Sequence, residues 1–114
     1  MLDLKESEEG GVVYFTLTGT FDLYSAPDLD GKFDAWYQKG KKKIILDVKG
    51  LEHIDSSGLG SFLKIHTFLE ERNGRVCVIG AHGVVARIFE LTKIDQRMIV
   101  LADREQALRV LEKI

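Results

Sequence analysis

The segment that most constrains this sequence is Ile54-Asp55-Ser56-Ser57-Gly58-Leu59-Gly60-Ser61. It follows an apolar, strand-like run at residues 44–48 and precedes an amphipathic run with helical spacing. A carboxylate and two hydroxyls therefore lie at the start of a helix, where side-chain oxygens accept the unpaired N–H groups of the first turn. The positive end of the helix dipole favours a negative group at the same place. The segment thus predicts a strand–turn–helix unit whose polar entry tolerates an anion.

Apolar patterns on both sides of this segment predict an α/β fold. Gly10 and Gly11 separate two strand-like runs, and glycine supplies the positive φ that a hairpin turn needs. Strand-like and helical patterns then alternate, as in sheets built from crossover connections. We therefore expect a mixed, mostly parallel β-sheet with an antiparallel edge hairpin and about four helices. The predicted strands span residues 2–7, 12–18, 44–48, 75–79 and 98–101, and the predicted helices start near residues 25, 57, 83 and 103.

Local preferences add further expectations. Gly19 is predicted to end the second strand, and Ser25 is predicted to cap the first helix. The strand at residues 44–48 has few polar interruptions, so it is expected to be covered on both faces. In the helix near residues 83–91 the apolar side chains are expected to face inward, namely Val84, Val85, Ile88 and Leu91.

Length and composition are those of one globular domain. The chain has 114 residues, of which 45% are hydrophobic and 30% are charged. A chain of this size can bury a core without disulfides or metals, so we expect a single domain over residues 1–114. The net charge is −2, from 16 basic and 18 acidic residues, and it favours neither nucleic acid nor an anionic membrane as a partner.

Three features lead us to expect a cytoplasmic protein. The segment Met1–Glu6 lacks the basic-then-apolar pattern of a signal peptide. No uninterrupted apolar run approaches the roughly 20 residues that span a bilayer. The single Cys77 lies in an apolar run, which predicts a buried thiol and fits a reducing compartment.

Three ordered motifs resemble one known family. The segment from Asp55 to Gly60, after Ile44-Ile45-Leu46-Asp47, resembles the bacterial anti-sigma factor antagonists of the STAS domain family. A second block, residues 85–94, is similar to the later helix of that family and the turn after it. An early Gly19-Thr20-Phe21-Asp22 is similar to its first Gly-x-x-Asp turn. The resemblance covers nearly the whole chain and implies a single STAS-type domain.

The resemblance implies a phosphorylation switch. In the family, the Ser directly after the Asp is phosphorylated by a serine kinase that is also the anti-sigma factor, and that position is Ser56 here. The unphosphorylated protein would bind this kinase and free a sigma factor. A PP2C-type phosphatase would reset the switch. Because the kinase supplies ATP and Mg²⁺, we expect a binding module without a cofactor, a metal or an enzymatic activity of its own.

The resemblance also implies a partner-binding surface around Ser56. Its candidate residues are Asp22, Ser25, Asp55, Ser57, Gly58, Leu59 and Gly60. From residue chemistry alone, structural roles stay open: Asp55 and Ser57 as helix caps, Asp22 as a turn residue, and the two glycines as sites of close packing.

The sequence leaves two other functions open. One is a STAS subunit of a sensory or lipid-transport complex without sigma-factor control. The other is a small enzyme or nucleotide-binding protein. The three histidines lack zinc spacing, and the glycine-rich segment has neither P-loop nor dinucleotide-binding spacing. His53, Asp55 and Ser56 are too close along an extended segment to converge as a catalytic triad.

Overall fold

A five-stranded mixed sheet organises the protein in a computed structural model, which describes residues 1–114. The strands are β1 (Leu2–Glu9), β2 (Val12–Phe21), β3 (Lys43–Ile54), β4 (Arg75–Ile79) and β5 (Ile99–Leu101). The helices are α1 (Ala26–Gln38), α2 (Ser56–Glu70), α3 (Gly83–Thr92) and α4 (Arg104–Leu111), with a 3₁₀ turn at Ile94–Gln96. No helix has the length and apolar character that crossing a membrane requires.

The strand order follows the chain, β1-β2-β3-β4-β5. β1 and β2 are antiparallel, joined through Gly10 and Gly11, whose φ angles of +60° and +84° suit glycine. The other three pairings are parallel, and each is connected through a helix. The predicted α/β class, with an antiparallel edge hairpin and four helices, is confirmed.

Core residues lie on both faces of the central strand. A large cluster joins α1, α2 and α3 to one face, with Phe15, Leu46 and Phe62 fully buried in it. A smaller cluster joins α4 to the other face through Ile45, Cys77 and their neighbours. β3 is therefore covered on both faces, as predicted. Cys77 is a buried free thiol, and burial raises its pKa to about 11.

Strands β2 and β3 extend well beyond their predicted ends, and β1 extends two residues further, to Glu9. β2 continues through Gly19 to Phe21, and β3 continues past residue 48 to Ile54. The prediction that Gly19 ends its strand is therefore wrong. Gly19 instead lies at an irregularity in the parallel pairing, with φ +98°, where a Cβ atom would overlap the carbonyl oxygen of Met1. Both extensions carry the chain to the end of the sheet where Asp22 and Asp55 lie.

Helix α3 buries only one of its two apolar faces. Val85 and Phe89 are buried, whereas Val84 and Leu91 are 58% and 69% exposed. Ile88 is half-buried at the margin. The prediction that all the apolar side chains of this helix face inward is wrong for Val84 and Leu91. Periodicity alone does not show how much of a helix surface its neighbours cover.

Candidate functional site

Asp55 begins helix α2. Its backbone is extended, and its Oδ1 accepts a hydrogen bond of 2.9 Å from the N–H of Gly58. The helix-cap role considered for Asp55 is thus observed. Ser56 becomes the first residue of the helix, one position earlier than predicted. The carboxylate satisfies an N–H group that the first turn cannot pair internally.

Asp55 also connects two loops. Its Oδ2 accepts a hydrogen bond of 3.2 Å from the N–H of Leu23, which follows β2. Its own N–H donates to the carbonyl oxygen of Phe21 at 3.2 Å. Because β2 and β3 are parallel, their carboxyl ends lie at the same edge of the sheet. The structure therefore brings the segments around Asp22 and Ser56 together.

The Asp22–Ser25 loop is held by its own side chains. Oδ1 of Asp22 accepts from the N–H groups of Tyr24 (3.0 Å) and Ser25 (3.2 Å) and from the Ser25 hydroxyl (3.1 Å). The Ser25 Oγ accepts in turn from the N–H of Asp22 at 2.9 Å. Ser25 occupies the N-cap position of α1, as predicted, but the expected side-chain cap is absent, because its hydroxyl is used within the loop. Desolvation raises the pKa of Asp22, but these hydrogen bonds outweigh it, and the pKa lies below its usual value.

Ser56 is exposed in the first turn of α2, and Ser57 beside it is half-buried. The Ser56 hydroxyl takes part in none of the hydrogen bonds that join the two loops. A phosphate on this oxygen would lie at the positive end of a 15-residue helix. The same phosphate would be next to the Asp55 carboxylate. The position is thus reachable from solvent and sensitive to added charge.

The two glycines of the segment differ in their surroundings. A Cβ atom at Gly58 would lie 2.8 Å from Ile54 and Phe21 atoms, including the Phe21 carbonyl oxygen, so the side chain of any other residue would collide. Nothing lies within 4 Å of the corresponding position at Gly60, which is exposed. Leu59 is only 8% exposed and belongs to the core. Gly58 and Leu59 therefore pack α2 against the sheet, and Gly60 lies on the surface.

Sequence analysis missed two residues of this edge. Leu23 and Tyr24 are 62% and 87% exposed, so two adjacent large side chains are open to solvent at this edge. The sequence does not predict that these two side chains are exposed, because apolar residues just before a helix commonly pack against it. The hydrogen bonds of Asp22 and Asp55 hold their backbone in this loop.

The chain has no group of three or more His, Cys, Asp or Glu side chains that could hold a metal ion. The chemistry of this edge is that of carboxylates, hydroxyls and exposed apolar groups. Such an arrangement can bind a protein surface or accept a phosphate on a hydroxyl. No hydrogen bond of the edge joins a histidine or a carboxylate to the Ser56 hydroxyl.

Comparisons with known proteins agree with this architecture. The family model for the STAS domain matches residues 4–107. The chain is 27% identical over 82 residues to an anti-sigma-B factor antagonist of Staphylococcus aureus, covering 72% of this chain and 76% of that protein. It is 25% identical over 114 residues to an anti-sigma F factor antagonist of Paenibacillus polymyxa, covering 99% and 97% of the two chains.

A similar fold is found in the solved structures of SpoIIAA, an anti-sigma factor antagonist. The unphosphorylated form has a TM-score of 0.74 at 22% identity, with both chains covered completely. The phosphorylated form of the Bacillus protein has a TM-score of 0.71 at 22% identity, covering 96% of this chain and 99% of that one. At this level of identity the likeness shows a common fold.

Proposed function

The chain belongs to the STAS domain family, and we propose that it is an anti-sigma factor antagonist switched by phosphorylation of Ser56. The unphosphorylated protein binds an anti-sigma factor that is also a serine kinase and so releases a sigma factor. Phosphorylation by this kinase ends the binding, and a PP2C-type phosphatase restores it. ATP and Mg²⁺ belong to the kinase, so the chain needs no cofactor of its own. It acts in the cytoplasm, where sigma factors work.

The observation that carries this proposal is the position of the Ser56 hydroxyl. It is exposed at the first residue of α2, directly after the carboxylate that caps the helix and joins the two loops. A kinase can reach this hydroxyl without unfolding the chain. The relatives named as anti-sigma factor antagonists support the choice of partner.

The proposed contact surface consists of exposed or half-buried groups around Ser56. It comprises Asp22, Leu23, Tyr24, Asp55, Ser56, Ser57 and Gly60. Ser25 supports it from beneath, since it is 8% exposed and bonded to Asp22. Gly58 and Leu59 are left out of the contact surface because they are buried.

Phosphorylation would block docking through charge. A phosphate adds about −1.5 to −2 charges beside the carboxylates of Asp55 and the Asp22–Ser25 loop. The phosphate would nearly double the negative charge of those two carboxylates, and an acidic or apolar partner surface would repel it. Misplaced like charge in an interface costs several kcal/mol, and each 1.4 kcal/mol lowers the affinity about tenfold. The fold need not change, because the helix terminus accommodates the phosphate.

Mass spectrometry after incubation with kinase tests the switch. The anti-sigma factors encoded in the source genome are purified and incubated one by one with the protein and Mg-ATP. One factor should add a single phosphate to wild-type protein and to Ser57→Ala, and none to Ser56→Ala. It should also bind the unphosphorylated protein at least about tenfold more tightly than the phosphorylated one.

A different result would contradict the proposal. Phosphorylation of Ser56→Ala would place the modified residue elsewhere. If no factor bound or phosphorylated the wild-type protein, the anti-sigma role would be wrong. Association with sensory or transporter subunits would then assign the chain to the alternative, a STAS subunit outside sigma-factor control.

A further inference from the structure

Two exposed apolar side chains lie beside the proposed phosphorylation site. Leu23 and Tyr24 are 62% and 87% exposed at the end of β2, and Leu23 is bonded through its backbone to the Asp55 carboxylate. We infer that they form an apolar anchor that enters a pocket on the anti-sigma factor and supplies much of the binding energy. This inference rests on the proposed function and extends it to the residues that hold the partner.

The backbone that carries this pair is held in place before any partner arrives. Tyr24 donates its N–H to Oδ1 of Asp22, and Leu23 donates its N–H to Oδ2 of Asp55. Ser25 is only 8% exposed, and its hydroxyl accepts a hydrogen bond from the N–H of Asp22 and donates one to the Asp22 carboxylate. Loops held in this way lose little entropy on binding, and Tyr is enriched among residues that dominate interface energies.

Charge next to the pair indicates the kind of pocket. The Asp22–Ser25 loop uses Oδ1 of Asp22, which leaves Oδ2 for a donor from outside. The hydrogen bonds that this carboxyl accepts lower its pKa and so favour its charged form. Asp55, which accepts a hydrogen bond from the N–H of Leu23, adds a second carboxylate. The matching partner surface is an apolar pocket with cationic groups at the part of its rim that faces Asp22, next to the apolar or acidic surface that meets Ser56.

The chain offers a matched control. Leu91 is 69% exposed, close to the value for Leu23, and lies near the end of α3. It is about 12 Å along the axis from the start of that helix, at 1.5 Å per residue. A helix that follows a parallel strand runs back along the sheet, away from the edge where Ser56 lies. Removing this side chain deletes a similar apolar area without touching the Asp22–Ser25 loop.

Binding kinetics would test the anchor. The anti-sigma factor identified by the phosphorylation assay is immobilised, and wild type, Leu23→Ala, Tyr24→Ala, Tyr24→Phe and Leu91→Ala are passed over it. Leu23→Ala and Tyr24→Ala should each raise Kd about tenfold or more, mainly through faster dissociation. Tyr24→Phe should retain most of the affinity, and Leu91→Ala should bind as wild type does. The loss should persist at high salt, because apolar contacts are not screened.

Three outcomes would overturn the inference. If both alanine variants bound like wild type, the anchor would be wrong while the proposed function stood. If wild type bound no anti-sigma factor, both would fall together. If sedimentation showed a wild-type dimer that Leu23→Ala or Tyr24→Ala abolished, with affinity for the factor unchanged, the pair would serve a second copy of this chain.

Discussion

Asp55 accepts a hydrogen bond from the backbone N–H of Leu23 with one carboxylate oxygen and caps helix α2 with the other. A single side chain therefore sets both the start of the helix and the position of a loop 32 residues earlier in the sequence. The exposed Ser56 hydroxyl directly follows it. The site is therefore built from the segments that follow β2 and β3.

Loss of the Asp55 carboxylate should destabilise the protein more than loss of an ordinary helix cap. Asp55→Ala removes the cap on Gly58 and the bond to Leu23, and caps alone contribute about 1 kcal/mol. Asp103→Ala is the matched control, because Asp103 caps α4 through Gln106 without a second loop contact. Urea denaturation should show a larger fall in the free energy of unfolding for Asp55→Ala. Equal falls would mean that the Leu23 bond contributes nothing.

Alanine at the two glycines of α2 should change stability in opposite directions. Gly58→Ala places a methyl group 2.8 Å from the Phe21 carbonyl oxygen, and overpacking of this kind costs about 1–3 kcal/mol. Gly60→Ala meets open space, so the higher helix propensity of alanine should stabilise the protein by up to about 1 kcal/mol. Thermal melting of the two variants measures both signs. A stabilised Gly58→Ala would show that α2 can move away from β2 without cost.

A negative side chain at residue 56 should weaken partner binding without unfolding the chain. Ser56→Asp places a carboxylate at the N-terminus of α2, where the helix dipole favours it. The free energy of unfolding should therefore stay within about 0.5 kcal/mol of wild type. The affinity for the anti-sigma factor should fall about tenfold or more. Calorimetry checks the first value and titration the second, and binding as tight as that of wild type would contradict the charge mechanism.

The hydrogen bonds of Asp22 should make stability depend on acid pH. The native pKa of Asp22 lies below its usual value, so the unfolded chain takes up the proton first as the pH falls. The contribution of Asp22 to the free energy of unfolding is fully present above the usual Asp pKa of about 3.9. It is lost as the pH falls through the lowered native pKa.

Removing the Ser25 hydroxyl tests whether its hydrogen bond lowers the pKa of Asp22. In Ser25→Ala the Asp22 carboxyl loses the hydroxyl donor, so NMR titration should show its pKa moving up toward the usual value. An unchanged Asp22 titration in Ser25→Ala would mean that the backbone N–H donors of Tyr24 and Ser25 suffice.

Local sequence signals anticipated much of the fold. The sequence predicted three features: the glycine pair of the hairpin, the burial of β3 on both faces and the polar start of α2. Turn geometry and burial can be predicted because they depend on residue types within a few positions of each other. Errors arose where a distant neighbour decides the outcome. Gly19 continues a strand because β3 runs alongside it, and Val84 and Leu91 are exposed because no element covers them.

For the site, the sequence by itself determined the chemistry: the Asp-Ser pair, the glycines after it and the early Gly-x-x-Asp turn. These are short-range properties of residue type and spacing. Only the tertiary structure decided that the turn and the pair meet through Asp55 and Leu23, that Gly58 and Leu59 are buried, and that Leu23 and Tyr24 point to solvent. The physical reason is that parallel pairing of β2 with β3 brings together residues more than 30 positions apart. Such contacts produce no periodic pattern in the sequence around either residue.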